Sequence, residues 1–273
     1  VTSRQNAVVK TFRGLAARRP RGESRILLEG EHLVGEALEA GLRITIAALA
    51  SGILARTEGG LDKVQELAAR LQHHGTRVLS VSESVLAAMS PVRTPSGIVA
   101  IAEFEPTPLD RVMDGHRPLV AVLVGIQDPG NLGAAVRTAE AAGATGLVAC
   151  VPSADPFSWK ALRGAMGSTF RLPVPERVPL PDALLAARRK GLAIAAAVPR
   201  GGTPLHQFNW RRPVAVMLGA EGAGLDEREL DHADEQITIP MKPPVESLNV
   251  AVSAGVMLYE AARQRATERH EAD

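Results

Sequence analysis

The chain alternates short apolar runs with stretches of helical periodicity, and its two halves do so differently. In the first half, residues 26–30, 44–49, 77–81 and 98–104 read as strands. Between them, residues 1–20 predict a short helix broken by Pro20 and Gly22, 31–40 a helix ended by Gly41, and 84–89 another short helix. Leu61, Val64, Leu67, Ala68 and Leu71 recur at the spacing of an amphipathic helix over 61–72. The expectation is a compact α/β unit with mixed strand order. After a stretch rich in prolines and charges, from Glu105 to Pro118, the pattern becomes buried strand, loop, helix, repeated. The continuous apolar runs at 119–124, 146–151, 192–198, 214–218 and 236–240 predict a parallel sheet covered by helices on both faces. Two domains follow, 1–106 and 117–273, with the proline-rich stretch as linker.

Composition narrows the function classes. With 273 residues, 45% hydrophobic and 22% charged, the chain can bury a substantial core. The single cysteine, Cys150, rules out an internal disulfide and a cysteine-cluster metal site, and its apolar neighbours mark it as a packed strand residue. No metal is expected. No apolar run approaches the ~18 residues of a membrane span and no signal peptide opens the chain, so a cytoplasmic protein without membrane contact is expected. The net charge of +1 is uninformative, but its distribution is not. Arg4, Lys10, Arg13, Arg18, Arg19, Arg21 and Arg25 crowd the first 25 residues against Glu23 alone. Such a segment can track a phosphate backbone, or be a solvated helix face and turn.

Three loops at strand ends in the second half carry unusual residues, where open parallel sheets hold their ligands. The first runs from Asp128 through Pro129, Gly130 and Asn131 to Arg137 and Glu140; Asn131 is placed to cap a helix that Gly143 ends. Its glycine spacing is not that of a dinucleotide fold, which argues against a nicotinamide-dependent dehydrogenase. Arg137, more than one turn inside that helix, needs a partner or a path to solvent. The second loop is Gly219-Ala220-Glu221-Gly222-Ala223-Gly224-Leu225, whose glycines free the backbone to wrap a ligand around the carboxylate of Glu221. The third, Ile239-Pro240-Met241 followed by Glu246-Ser247-Leu248-Asn249-Val250, leads into a final helix to about Arg265, and helix capping alone would explain Ser247 and Asn249.

As a set, Asn131-x-Gly133-x-x-x-Arg137, Gly219-x-Glu221-Gly222-x-Gly224-Leu225 and Ile239-Pro240-Met241 with Glu246-Ser247-Leu248-Asn249-Val250 resemble the three signature motifs of the SpoU/TrmH family of SPOUT methyltransferases. The first half, with its basic helix and Leu28-Glu29-Gly30-Glu31-His32, is similar to that family's substrate-binding domain. The resemblance covers nearly the whole chain. It implies a trefoil-knotted parallel-sheet SPOUT domain with a smaller, ribosomal-protein-like α/β RNA-binding domain before it, and a homodimer through the final helix. It implies transfer of a methyl group from S-adenosylmethionine to a ribose 2′-hydroxyl in RNA, ribosomal 23S RNA being favoured over transfer RNA. The cofactor would lie against Leu218, Gly219, Glu221, Gly222, Ile239, Met241, Ser247, Leu248 and Asn249.

In that family the residues matching Asn131, Arg137, Glu221, Ser247 and Asn249 are the functional set. A guanidinium keeps its proton at pH 7, since its pKa exceeds about 12. Arg137 is therefore expected to grip phosphate and steady developing alkoxide charge rather than to act as a free base. Glu221 would orient Arg137 or the loops, and Ser247 and Asn249 would hold the knot and the ribose. RNA contacts are expected from Arg4, Lys10, Arg13, Arg25 and, through a further family position, Arg163. The alternative is a non-catalytic RNA-binding or ribosome-assembly protein on the same scaffold, which the three intact motifs disfavour.

Overall fold

The computed structural model describes residues 5–54 and 63–271, so Arg4 and the start of the expected 61–72 helix lie outside the described residues. The chain forms two compact units, one of residues 1–105 with 157–170, the other of 106–156 with 171–273. The first boundary falls at the start of the expected linker. The stretch 157–170, however, clusters with the first unit, so the second is not one continuous run from 117.

In the first unit four strands, β1 (Arg25–Glu29), β2 (Arg43–Ala50), β3 (Arg77–Val81) and β4 (Ile98–Glu103), lie in the order β1-β4-β2-β3. β4 runs antiparallel to both neighbours, and β2 pairs with β3 in parallel. Strand order is mixed, as the pattern predicts. The helix Ala7–Ala17 turns Val9, Phe12 and Leu15 inward and is capped by Asn6, whose side-chain Oδ1 accepts from Val8 N at 2.9 Å. Its buried residues join Val85, Leu86 and Met89 of the helix Glu83–Met89 in one core. The helix Trp159–Ala165 packs on β1, with Trp159 against the same core. Phe157 lies 5.1 Å, ring to ring, from Phe104 and beneath the guanidinium of Arg19. Apolar burial of this kind, ~1.5–3 kcal/mol per large side chain, explains why the segment sides with the first unit.

The second unit is built on six strands, β5 (Leu119–Val124), β6 (Gly146–Cys150), β7 (Ala193–Ala197), β8 (Thr203–Pro204), β9 (Val214–Leu218) and β10 (Glu235–Thr238). Their order is β6-β5-β9-β7-β10-β8, and every pairing is parallel. All residues of β5, β6 and β9 are buried, the signature of a sheet covered on both faces. The expected linker is not loose throughout: it contains the helix Leu109–Val112, and Val112 and Met113 enter this unit's core. The final helix, Val250–Glu271, packs on the helix Pro129–Ala141. Gly255 makes the close approach feasible, because a Cβ there would stand 3.1 Å from Thr138 Cγ2. No helix among the described residues is long and apolar enough to cross a membrane.

Candidate active site

The loop leaving β5 is fixed from several sides. Ile126 N donates to Ser153 Oγ at 3.0 Å, and Gln127 Nε2 donates to the carbonyl of Pro152 at 3.0 Å. Asp128 then caps the helix Pro129–Ala141, its Oδ1 accepting from Asn131 N at 2.9 Å, with Pro129 in the first turn. Asn131 is therefore not the cap expected from its position; Asp128 satisfies the free amide and releases the Asn131 side chain for other use. That side chain donates from Nδ2 to Glu221 Oε1 at 2.7 Å.

Glu221 sits in the glycine-rich loop after β9. Gly224 N donates to Ala220 O at 2.8 Å, and Gly222 and Gly224 adopt left-handed φ values of 83° and 70°. Gly219 lies beneath this turn so closely that a Cβ would stand 2.2 Å from the carbonyl carbon of Gly224. These contacts explain three glycines in six positions better than flexibility does.

The third loop delivers Asn249 to the same place. Its Nδ2 donates to Glu221 Oε1 at 2.7 Å and lies 3.2 Å from Asn131 Oδ1. Its Oδ1 accepts from Ala251 N at 2.9 Å and from Val252 N at 3.3 Å, capping the final helix. Capping and loop assembly are thus performed by opposite ends of one amide.

A cleft of about 520 Å³ opens beside this triangle, within the range of roughly 300–1,000 Å³ typical of small-molecule sites. Leu218, Gly219, Glu221, Gly222, Ile239, Met241, Ser247 and Leu248 all line it; Asn249, also expected at the cofactor, does not, and touches it through Glu221. Among the wall residues that the sequence reading did not name, Ala197, Val198 and Pro199 lie together at the end of β7. The signal that could have found them is the strand-end rule itself, applied to a loop with no distinctive chemistry. The contents suit S-adenosylmethionine. Leu218, Ile239, Leu248 and Met257 offer apolar surface for a purine, glycine-lined backbone permits close approach, and Glu221 and Glu246 set negative charge where a sulfonium and an ammonium need it. No cluster of three or more histidine, cysteine, aspartate or glutamate side chains able to hold a metal occurs among the described residues.

Arg137 stands apart. It is exposed, six residues beyond Asn131 on the helix Pro129–Ala141, or about 9 Å along its axis. Among the described residues it forms no ion pair or side-chain hydrogen bond. Of the two expected roles of Glu221, the structure shows the one that joins loops, not the one that orients Arg137. The expected RNA contacts also divide. Lys10 and Arg13 are exposed on the helix Ala7–Ala17, whereas Arg25 is held by Glu23 and Arg163 faces Glu29.

Residues 118–259 match the SpoU rRNA Methylase family, and residues 6–100 match the MRM3-like substrate binding domain. An uncharacterized tRNA/rRNA methyltransferase of Synechocystis is 38% identical over 266 residues, covering 97% of this chain and 94% of its own. The 23S rRNA (guanosine(2553)-2′-O)-methyltransferase RlmP of Bacillus subtilis is 31% identical, over 95% of this chain and 97% of its own. Among solved structures, the AdoMet-bound rRNA methyltransferase from Sinorhizobium meliloti superposes with a TM-score of 0.83 at 32% identity, covering 96% of this chain and 97% of that one. With one family model spanning more than half of its residues and full-length relatives above 30% identity, the chain belongs to the SpoU rRNA methylase family.

Proposed function

We propose that this protein is an S-adenosylmethionine-dependent methyltransferase of ribosomal RNA that modifies a ribose 2′-hydroxyl. The observation that carries the reading is the hydrogen-bonded triangle of Asn131, Glu221 and Asn249 beside the 520 Å³ cleft. It joins three of the five residues that the motif resemblance names, Asn131, Glu221 and Asn249, and the names of the relatives supply the RNA class.

In this reading the residues of the cleft wall hold the cofactor, which supplies an electrophilic methyl group on sulfur when bound. Leu218, Ile239 and Leu248 bind its apolar part; Glu221 and Ser247 present polar atoms to the rest. Asn131 and Asn249 fix the Glu221 carboxylate, so it does not rearrange as charge develops. Arg137, exposed and without a partner among the described residues, binds an RNA phosphate and stabilises the 2′-oxygen as its proton leaves through phosphate or water. The first unit binds RNA, with Lys10 and Arg13 on its basic helix. The C-terminal segment follows the trefoil knot of the SPOUT fold, and the protein acts in the cytoplasm. It is a homodimer through the final helix, on which Val252, Val256 and Tyr259 recur at helical spacing and are 51%, 39% and 55% exposed.

The test is single-turnover transfer of tritiated methyl to unmodified 23S rRNA. Arg137→Ala is expected to lower the rate by about 10²–10³, the cost of removing a major electrostatic stabiliser, with cofactor Kd and melting temperature unchanged. Arg137→Lys recovers little, because a single ammonium cannot reproduce the planar fork. A wild-type chain that binds the RNA but transfers no methyl would instead favour the ribosome-assembly alternative.

A further inference from the structure

Glu29 ends β1 in the first unit with its side chain only 4% exposed. A buried carboxylate is costly unless its oxygens are satisfied. Oε1 accepts from both Ser96 N, at 3.2 Å, and Ser96 Oγ, at 3.1 Å. Oε2 faces Arg163 Nη1 at 3.6 Å, across from the helix Trp159–Ala165, which belongs to the same unit. The backbone is shaped to this arrangement: Gly30 takes a left-handed φ of 98°, and a Cβ there would approach Ser96 Oγ at 3.2 Å.

The pair is asymmetric. Arg163 is 55% exposed, and 3.6 Å is longer than a hydrogen bond, so the carboxylate holds the guanidinium by charge, and its donors are unspent among the described residues. A half-exposed ion pair of this kind contributes little to stability. Lys160, exposed three residues earlier, adds positive charge on the same helical face. Planar guanidinium groups with free donors match the oxygens of a phosphodiester.

We propose that Glu29 is a positioning residue for RNA binding: it holds the Arg163 guanidinium at the surface of the first unit so that the free donors meet a backbone phosphate. The inference rests on RNA being the substrate. It makes residues 157–170 part of the RNA-binding unit, although they lie beyond the chain's first hundred residues.

Glu29→Gln separates the two duties of this carboxylate. The amide oxygen can still accept from Ser96, while the charge facing Arg163 is lost. Binding of unmodified in vitro transcribed 23S rRNA to the full chain is measured across a potassium chloride series. Glu29→Gln and Arg163→Gln should each reduce the slope of log K against log salt by about 0.7–0.9, the loss of one phosphate contact. The double variant should lose no more than Arg163→Gln alone, as expected for two residues acting through one contact. Cofactor Kd should stay at the wild-type value, and an unchanged melting temperature for Glu29→Gln reports that the first unit stays folded. Glu29→Ala, which leaves Ser96 without its acceptor, should lower the melting temperature as well. An unchanged slope for Glu29→Gln beside a reduced slope for Arg163→Gln would overturn the positioning role, as would additive losses in the double variant. Absence of methyl transfer by the wild type, with salt-dependent binding intact, would refute the enzymatic reading alone and leave the slope comparison decisive.

Discussion

Asn131 and Asn249, 118 positions apart in the chain, donate to the same oxygen of Glu221, each at 2.7 Å. One carboxylate oxygen thus ties together the loops that leave three different strands. A hydrogen bond to a charged acceptor contributes about 1.5–3 kcal/mol, and the exposure of this triangle puts each at the lower end. Their joint effect is to fix the position of a negative charge at the edge of the cleft.

Asn249 should respond to substitution in two separable ways. Asn249→Asp keeps an oxygen for the Ala251 and Val252 amides, and aspartate caps helices as well as asparagine does. Its second oxygen, however, would face Glu221 with like charge. The melting temperature is therefore expected to fall only by the equivalent of the ~1.5 kcal/mol of that contact, while cofactor Kd rises about tenfold or more. Asn249→Ala loses the cap too, a further ~0.5–2 kcal/mol, and should melt earlier. Calorimetric titration and thermal denaturation of both variants check this; a wild-type cofactor Kd for Asn249→Asp would reduce Asn249 to a cap.

Gly219 and Gly224 should differ although both belong to the same turn. In Gly219→Ala the new methyl meets backbone at 2.2 Å, which no side-chain rotation relieves. The expected outcome is loss of measurable cofactor binding and destabilisation of about 1–3 kcal/mol, the usual cost of overpacking. Gly224→Ala has open space around its Cβ and meets only the left-handed backbone cost of ~1–2 kcal/mol. It should retain weakened cofactor binding. Identical affinities for the two variants would contradict the close approach.

Cutting the chain at residue 106 should not yield a well-behaved second half. The fragment 106–273 keeps residues 157–170 but removes their partners, uncovering Phe157 and Leu162, which are 1% and 0% exposed in the full chain. It is expected to bind a hydrophobic dye and to associate beyond the dimer. Phe157→Ser with Leu162→Ser should relieve both behaviours in the fragment. In the full chain the same pair should destabilise, by about 3–5 kcal/mol for the phenylalanine alone. Dye fluorescence and sedimentation velocity provide the measurement, and a fragment no larger than a dimer and without dye binding would contradict the division into units.

Cys150 should be inert in the native state. Burial, with a smaller contribution from the charge of Glu229, pushes its thiol up to about 12 from 9.0. Maleimide at pH 7.5 is expected to label the protein only after denaturation. Because the folded-state pKa is the higher one, the thiol's contribution to stability is complete below pH 9 and declines as pH rises toward 12. Cys150→Ala should remove that part of the alkaline decline in melting temperature; a native protein that labels readily would refute the burial of the thiol.

Much of the fold was legible because burial leaves a period in the sequence. The runs that became β5, β6, β7 and β9 are apolar throughout, since a parallel sheet buries both faces, and nine of the ten strands fall within a residue or two of where the pattern places them. The strand it missed is β8, a Thr-Pro pair that shows no period and exists only because it can lie beside β10. The site was legible as motifs, since glycines, a carboxylate and amides at strand ends are locally unusual. What they do to one another was not. That Asn249 bridges as well as caps, and that Glu221 joins asparagines rather than Arg137, depend on distances between segments 90 and 118 positions apart. Likewise, an amphipathic helix at 159–165 announces an apolar face but not which core receives it. Sequence by itself determined which groups are buried and which chemistry is available; tertiary structure decided the partners, because a hydrophobic period records that a face leaves water and not what it meets there.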